Sequence, residues 1–151
     1  MKKLLILVAS IIVIFAVITY KMSSKYDGVD YINSTYGNIT IYRDHLGIPH
    51  LFADNEKAAL FGTGYMHAQD RIWTYEKFRR LSQGILAEVL GDEAVPLDYL
   101  VRQFGFLRIA KKALKTVKKE FLDDYEIYVQ GINEYLEENP LPIEFYVLGY
   151  D

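Results

Sequence analysis

Between Thr40 and Arg80 a strand–turn–strand pattern runs straight into a helix crowded with charged and aromatic residues, and this junction restricts the fold more than any bulk property. Ile39 and Ile41 alternate with Thr40 and Tyr42, the period of a half-buried strand. Asp44-His45-Leu46-Gly47 reads as a turn, with Gly47 free to take a positive φ. Pro49 opens a second short strand that runs to Ala53, so a hairpin is expected. Asp54 is placed to cap the next helix, with Glu56 in its first turn. Gly62 and Gly64 should kink or break that helix, before a longer one runs from Tyr65 to Leu81. Gly84 interrupts it, Ile85 to Leu90 adds a helical turn or two, and Gly91 suits a C-terminal cap.

From Asp92 onward the pattern is helical. Ala110, Ala113, Leu114, Val117 and Phe121 form one stripe, with Lys111, Lys112, Lys115, Lys118 and Lys119 around it as a solvated face. Tyr125, Tyr128, Val129, Ile132, Tyr135 and Leu136 form a second stripe at i, i+3, i+4, i+7 spacing. Asn139-Pro140-Leu141-Pro142 ends that helix. The expected fold is therefore mainly α, with a short N-terminal β-hairpin.

Ahead of this region, Leu4 to Tyr20 carries no charge and follows Lys2 and Lys3, the layout of a secretory signal or a signal-anchor. The exit through Thr19, Tyr20, Lys21 and Met22 is a poor cleavage site, with Met22-Ser23-Ser24 the weak alternative. The preferred reading is a retained single-pass anchor, membrane-associated through residues 4–20, that places the rest outside the cytosol; the alternative is a secreted or periplasmic chain. Residues 1–24 are then anchor, 25–37 a polar linker, and 38–151 the folded domain. Asn33-Ser34-Thr35 and Asn38-Ile39-Thr40 are glycosylation triplets that would matter only in a eukaryotic source. A net charge of −3 argues against a nucleic-acid partner, and the absence of cysteine removes disulfides, thiolate zinc sites and a cysteine nucleophile.

Chemistry-bearing residues concentrate on the long central helix. Tyr65, Ala68, Ile72 and Tyr75 share a face that Arg79 continues, with Gln69 and Glu76 beside it and Met66 and Trp73 extending the apolar surface. Charges mixed into such a face must be paired, since burying one alone costs several kcal/mol. Glu76 can reach Arg79 or Arg80. His67 and Asp70, three apart, are close enough to touch. His45, His50 and His67 lack metal-site spacing. Gly62-Thr63-Gly64 lacks the rest of a phosphate loop. Ser82 has no G-x-S-x-G setting, and the other serines, Ser10, Ser23, Ser24 and Ser34, fall in the apolar run and the linker.

Taken in order, these residues resemble a known family. Ile41-Tyr42-Arg43-Asp44, Gly47-Ile48-Pro49-His50 and Ala53-Asp54 are similar to the start of the α chain in the penicillin acylase (penicillin amidase) family. Gly64-Tyr65-Met66-His67-Ala68-Gln69-Asp70-Arg71-Ile72-Trp73 resembles its next signature. Glu76, Arg79-Arg80, Gly84 and Leu86 to Gly91 follow, then Gly131 to Leu136 and Leu141 to Tyr150.

The resemblance implies a partial N-terminal-nucleophile hydrolase (αββα) α subunit. Such precursors cut themselves, and the new β chain begins with a serine whose hydroxyl attacks a linear amide, with its own α-amine as base. Donors of the β chain hold the oxyanion, and a calcium ion commonly stabilises the complete enzyme. On this reading no catalytic residue, metal or cofactor lies in the chain itself, and its partner is the β-chain segment of the same precursor. Arg43, Asp44, Gly47, Pro49, His50, Gly64, His67, Gln69, Asp70, Arg71, Trp73, Glu76 and Arg80 fall on signature positions and take scaffold roles. The rival expectation is a non-catalytic, membrane-anchored helical module that binds a partner or lipid through its aromatic surface.

Overall fold

In the computed structural model, residues 2–21 and 25–149 are described, with side chains given for 6–17 and 25–149. One long helix organises them. Three antiparallel strands, β1 (Gly28–Ser34), β2 (Gly37–Arg43) and β3 (Pro49–Ala53), form a sheet in the order β1-β2-β3. Helix α2 (Glu56–Gln83) packs on β2 and β3 along one side and on α6 (Lys119–Glu138) along another. Short helices α3 (Ala87–Leu90), α4 (Val95–Phe104) and α5 (Phe106–Ala113) follow α2, and α7 (Ile143–Val147) follows α6.

The expected hairpin is present as β2 and β3, with Ile41 opposite Leu51. A further strand, β1, occupies residues where the sequence pattern suggested linker. It pairs with β2 from Gly28 opposite Arg43 to Ser34 opposite Gly37. The alternation of β2 sends Ile39 and Ile41 inward, at 1% and 0% exposure. They join Ala58, Phe61, Tyr65 and Ile127 in the core. Burying each isoleucine contributes about 2 kcal/mol.

The expected break at Gly62 and Gly64 does not occur. Helix α2 runs through both, and its one non-helical residue is Arg71 (φ −140°, ψ 15°). The glycines serve close approach instead. A Cβ on Gly64 would sit 2.0 Å from the carbonyl oxygen of Tyr128 on α6, and one on Gly62 would meet Ile39 Cγ2 at 2.7 Å. The N-cap is Asn55, whose side chain accepts from Ala58 N at 3.0 Å. Asp54 instead accepts from the Asn38 backbone N–H and side-chain amide, both at 2.9 Å, which ties β2 to the helix entrance. Gly84, expected to interrupt the helix, ends α2 as a left-handed cap with φ 69°.

The apolar N-terminal run is helical as α1 (Lys2–Lys21), but the membrane-spanning anchor is not borne out. Among the described residues no helix is long and apolar enough to cross a membrane. The uncharged stretch from Leu4 to Tyr20 would rise only about 25 Å as a helix, against about 30 Å of hydrocarbon. The alternative cleavage region, Met22 to Ser24, lies outside the described residues.

Candidate functional site

Inward alternation that buries Ile39 and Ile41 also buries the last residue of β2, Arg43, at 4% exposure. A guanidinium so placed requires partners, and α2 supplies them. Nη2 of Arg43 donates to Asp70 Oδ1 at 2.6 Å and to Gln69 Oε1 at 2.6 Å, while Nη1 donates to Asp70 Oδ2 and the Gly47 carbonyl, each at 3.2 Å. The fork to Asp70 is bidentate, the geometry that gives arginine–carboxylate pairs their directional strength. Gln69 Nε2 passes the network to Asp30 Oδ2 on β1 at 3.2 Å, and Asp30 pairs with Lys25. All three strands and α2 therefore meet at one arginine, whose Nε is buried without a partner. Beside it lies a cleft of about 300 Å³ lined by Lys25, Arg43, Pro49, Asp70 and Arg71 among others. Arg71 is exposed there, at the bend in α2.

The β2–β3 turn is built around Asp44. Its Oδ1 accepts from the backbone N–H of Leu46 at 2.9 Å and of Ile48 at 3.0 Å, and Gly47 closes the turn with φ 76°. His50 Nε2 lies 3.2 Å from Asp44 Oδ2. That hydrogen bond, with those from Ile48 and Leu46, holds the Asp44 carboxyl below its ordinary 3.8. Pro49 opens β3 opposite Arg43.

His67 and Asp70 do not pair. Asp70 is committed to Arg43, whereas His67 Nδ1 lies 3.0 Å from the Tyr128 hydroxyl on α6. The rings of Tyr75 and Tyr128 stand 5.9 and 5.8 Å from the His67 ring. Burial pushes the Tyr128 phenol above its ordinary value, with Tyr75 adding to the shift. Trp73 packs edge-on against Phe145 of α7 at 5.5 Å. Glu76 receives both arginines in reach, Arg79 at 2.6 and 2.7 Å and Arg80 at 2.7 Å, and Arg80 goes on to Glu88 at 2.8 Å.

Several participants went unread in the sequence. Asp98 is 6% exposed and accepts from the backbone N–H of Leu86 at 2.9 Å and Ala87 at 2.8 Å. Asp30 was equally silent. Their only available signal was a carboxylate at an otherwise apolar register, which sequence alone does not single out.

Chemically, this arrangement orients and braces. The described serine hydroxyls are engaged with backbone, Ser34 donating to Gly37 O at 2.9 Å and Ser82 to Arg79 O at 2.8 Å. Among the described residues no three His, Asp or Glu side chains gather as a metal site.

Comparison with known proteins places this geometry. The family model described as penicillin amidase matches residues 38–151. The penicillin acylase 2 proenzyme of Pseudomonas sp. (strain SE83) is 39% identical over 112 residues, covering 74% of this chain and 14% of that protein. The acyl-homoserine lactone acylase QuiP of Pseudomonas aeruginosa is 32% identical over 125 residues, covering 82% of this chain and 15% of that protein. Among solved structures, a thermostable penicillin G acylase from Alcaligenes faecalis superposes with a TM-score of 0.63 at 33% identity, covering 75% of this chain and 63% of that one. The chain thus spans about one-seventh of the length of the two Pseudomonas relatives. The likeness bears out the fold class, mainly α with a small N-terminal sheet, as part of an acylase α-subunit fold.

Proposed function

The chain belongs to the penicillin amidase family, and on that premise we propose that it is the opening scaffold of an amidohydrolase that removes acyl groups from linear amides. The observation that carries this reading is the family match across residues 38–151, together with relatives of which the matched stretch is only 14–15%. Penicillins and acyl-homoserine lactones, named in those relatives, share an acyl group on an amide nitrogen. The scaffold holds one wall of the substrate cleft. The nucleophilic serine, its α-amine base and the oxyanion donors come from a β-chain segment of the same precursor, and a calcium ion belongs to that complete enzyme.

Two features support a partner segment. Among the described residues the sheet has three strands, with β1 and β3 each paired on one side. Its outer face exposes Tyr31 at 81%, Phe52 at 64% and Tyr42 at 47%, an aromatic surface with unpaired edges beside it. The test is complementation. The 151-residue chain is assayed on N-acyl anilides alone, and after mixing with the Pseudomonas proenzyme from which the matching segment has been deleted. Turnover is expected only in the mixture. Stoichiometric turnover by the chain alone would overturn the proposal, as would a mixture that neither associates nor hydrolyses.

A further inference from the structure

Between Tyr99 and Lys119 the chain carries seven cations and no carboxylate, although its net charge is −3. Helix α5 lies in the middle of this stretch. At helical spacing Phe106, Leu107, Ile109, Ala110 and Ala113 fall on one arc, and Arg108, Lys111 and Lys112 fall on the other. A surface helix ordinarily turns its apolar arc inward. Here every residue of α5 is exposed, with Phe106 at 49% and Ile109 at 54%. The apolar surface continues on both sides: Phe104, at 56%, stacks on Phe106 with ring centres 5.5 Å apart, and Leu114 is 56% exposed. Among the described residues Lys111, Lys112 and Lys115 have no carboxylate partner.

We propose that α5 and the turn after it are an interfacial docking surface for anionic lipid headgroups. Phe104, Phe106 and Ile109 enter the boundary of the acyl layer, and Lys111, Lys112 and Lys115 hold the headgroup charge. A helix with strongly segregated faces, little net hydrophobicity, aromatics on one side and lysines on the other lies in the plane of such an interface. It crosses nothing, so it differs in kind from a spanning anchor. Charge complementarity favours this occupant: the surface offers cations around an apolar centre, and an anionic bilayer offers the matching two layers. The inference does not depend on the amidohydrolase reading.

The test uses the full 151-residue chain and sedimentation with vesicles of phosphatidylcholine alone or mixed with phosphatidylglycerol. Helix α1 is the same in every variant and contributes equally. Binding to the anionic vesicles is expected to exceed binding to neutral ones and to weaken with salt. The triple variant Lys111→Glu, Lys112→Glu, Lys115→Glu should bind anionic vesicles roughly tenfold to hundredfold more weakly. The double variant Phe106→Ser, Ile109→Ser should also bind more weakly while keeping the circular dichroism of the parent. Should the serine variant fail to fold, the lysine variant, altered only on solvated positions, carries the test. Equal binding to both vesicle types, or parental binding by the lysine variant or by a folded serine variant, overturns the proposal. So does loss of association with the complementing proenzyme segment while lipid binding is unchanged, which would mark the face as a protein interface.

Discussion

Gly64 on α2 and Gly131 on α6 occupy the same crossing, each with the other helix's backbone where its own Cβ would be. A Cβ on Gly64 would lie 2.0 Å from the Tyr128 carbonyl oxygen, and a Cβ on Gly131 would lie 2.0 Å from that of Phe61. The obstacle is main chain on both sides, so no rotamer change relieves it. Gly64→Ala and Gly131→Ala should each destabilise the fold by about 3 kcal/mol through forced separation of the helices. In a domain of marginal stability that is a large fraction of the total. Urea unfolding checks it, with Ala59→Gly on the same helix as a control for propensity alone. Parental midpoints for both alanine variants would refute the close crossing.

The Arg43–Asp70 pair makes a second prediction. Arg43 is almost wholly buried and Asp70 partly so, with side-chain exposures of 2% and 22%. Removing one partner of such a pair leaves an uncompensated charge, at a cost of about 3 kcal/mol. Asp70→Asn should therefore cost more than Glu76→Gln, because Arg80 keeps a second carboxylate in Glu88 when Glu76 is neutralised, whereas the remaining partners of Arg43, Gln69 and the Gly47 carbonyl, are neutral. The double change Arg43→Met with Asp70→Leu should recover much of the loss. Chemical denaturation of the three variants measures it. A double variant no better than Asp70→Asn would mean that the network, rather than the charge, dominates.

Much of this was readable from local pattern. The alternation of Ile39 and Ile41, the turn at Gly47, the helix interruption at Gly84 and the contact of Glu76 with its arginines each depend on residues within a few positions. What escaped depends on distant ones. Arg43 and Asp70 are 27 positions apart, so their pairing has no local signature. Strand β1 reads as polar linker because Asp30, Asn33 and Ser34 dilute its apolar alternation, and only pairing with β2 makes it a strand. Gly62 and Gly64 signal a break by propensity, yet tertiary packing requires their missing side chains. The stripe from Ala110 to Phe121 is interrupted after Ala113, because α5 ends there and α6 begins at Lys119. The expected membrane anchor rested on apolarity without enough length.

Asp98 gives a third prediction. Its two carboxylate oxygens satisfy the backbone N–H groups of Leu86 and Ala87, at the entrance to α3, from one turn into α4. Asp98→Ala leaves two largely buried donors empty, at a cost of about 2 kcal/mol. The loss should be local before it is global. Amide hydrogen exchange at Leu86 and Ala87 is expected to accelerate strongly, while the amides of β2 change only by the global decrement. Uniform acceleration throughout would show that Asp98 stabilises the whole domain and not this junction.

Tyr65 gives the last, through pH. Burial pushes its phenol from 10.0 up to about 12, with Asn139 opposing and Glu138 adding to the rise. Its hydroxyl donates to Glu138 Oε2 at 3.2 Å, and its ring meets Tyr135 edge-on at 5.2 Å. The folded state therefore holds this proton more tightly than the unfolded chain does. Stability from this group is complete below pH 10 and declines as pH rises towards about 12, where the folded phenol also ionises. Above that point the loss levels off. Tyr65→Phe removes the ionisation while keeping the ring contact, so its unfolding free energy should fall less steeply across that interval. Urea midpoints measured at successive alkaline pH values, with phenolate absorbance followed in parallel, test this. Equal slopes for parent and variant would place the alkaline loss on Tyr128 and Tyr135, whose phenols burial also raises.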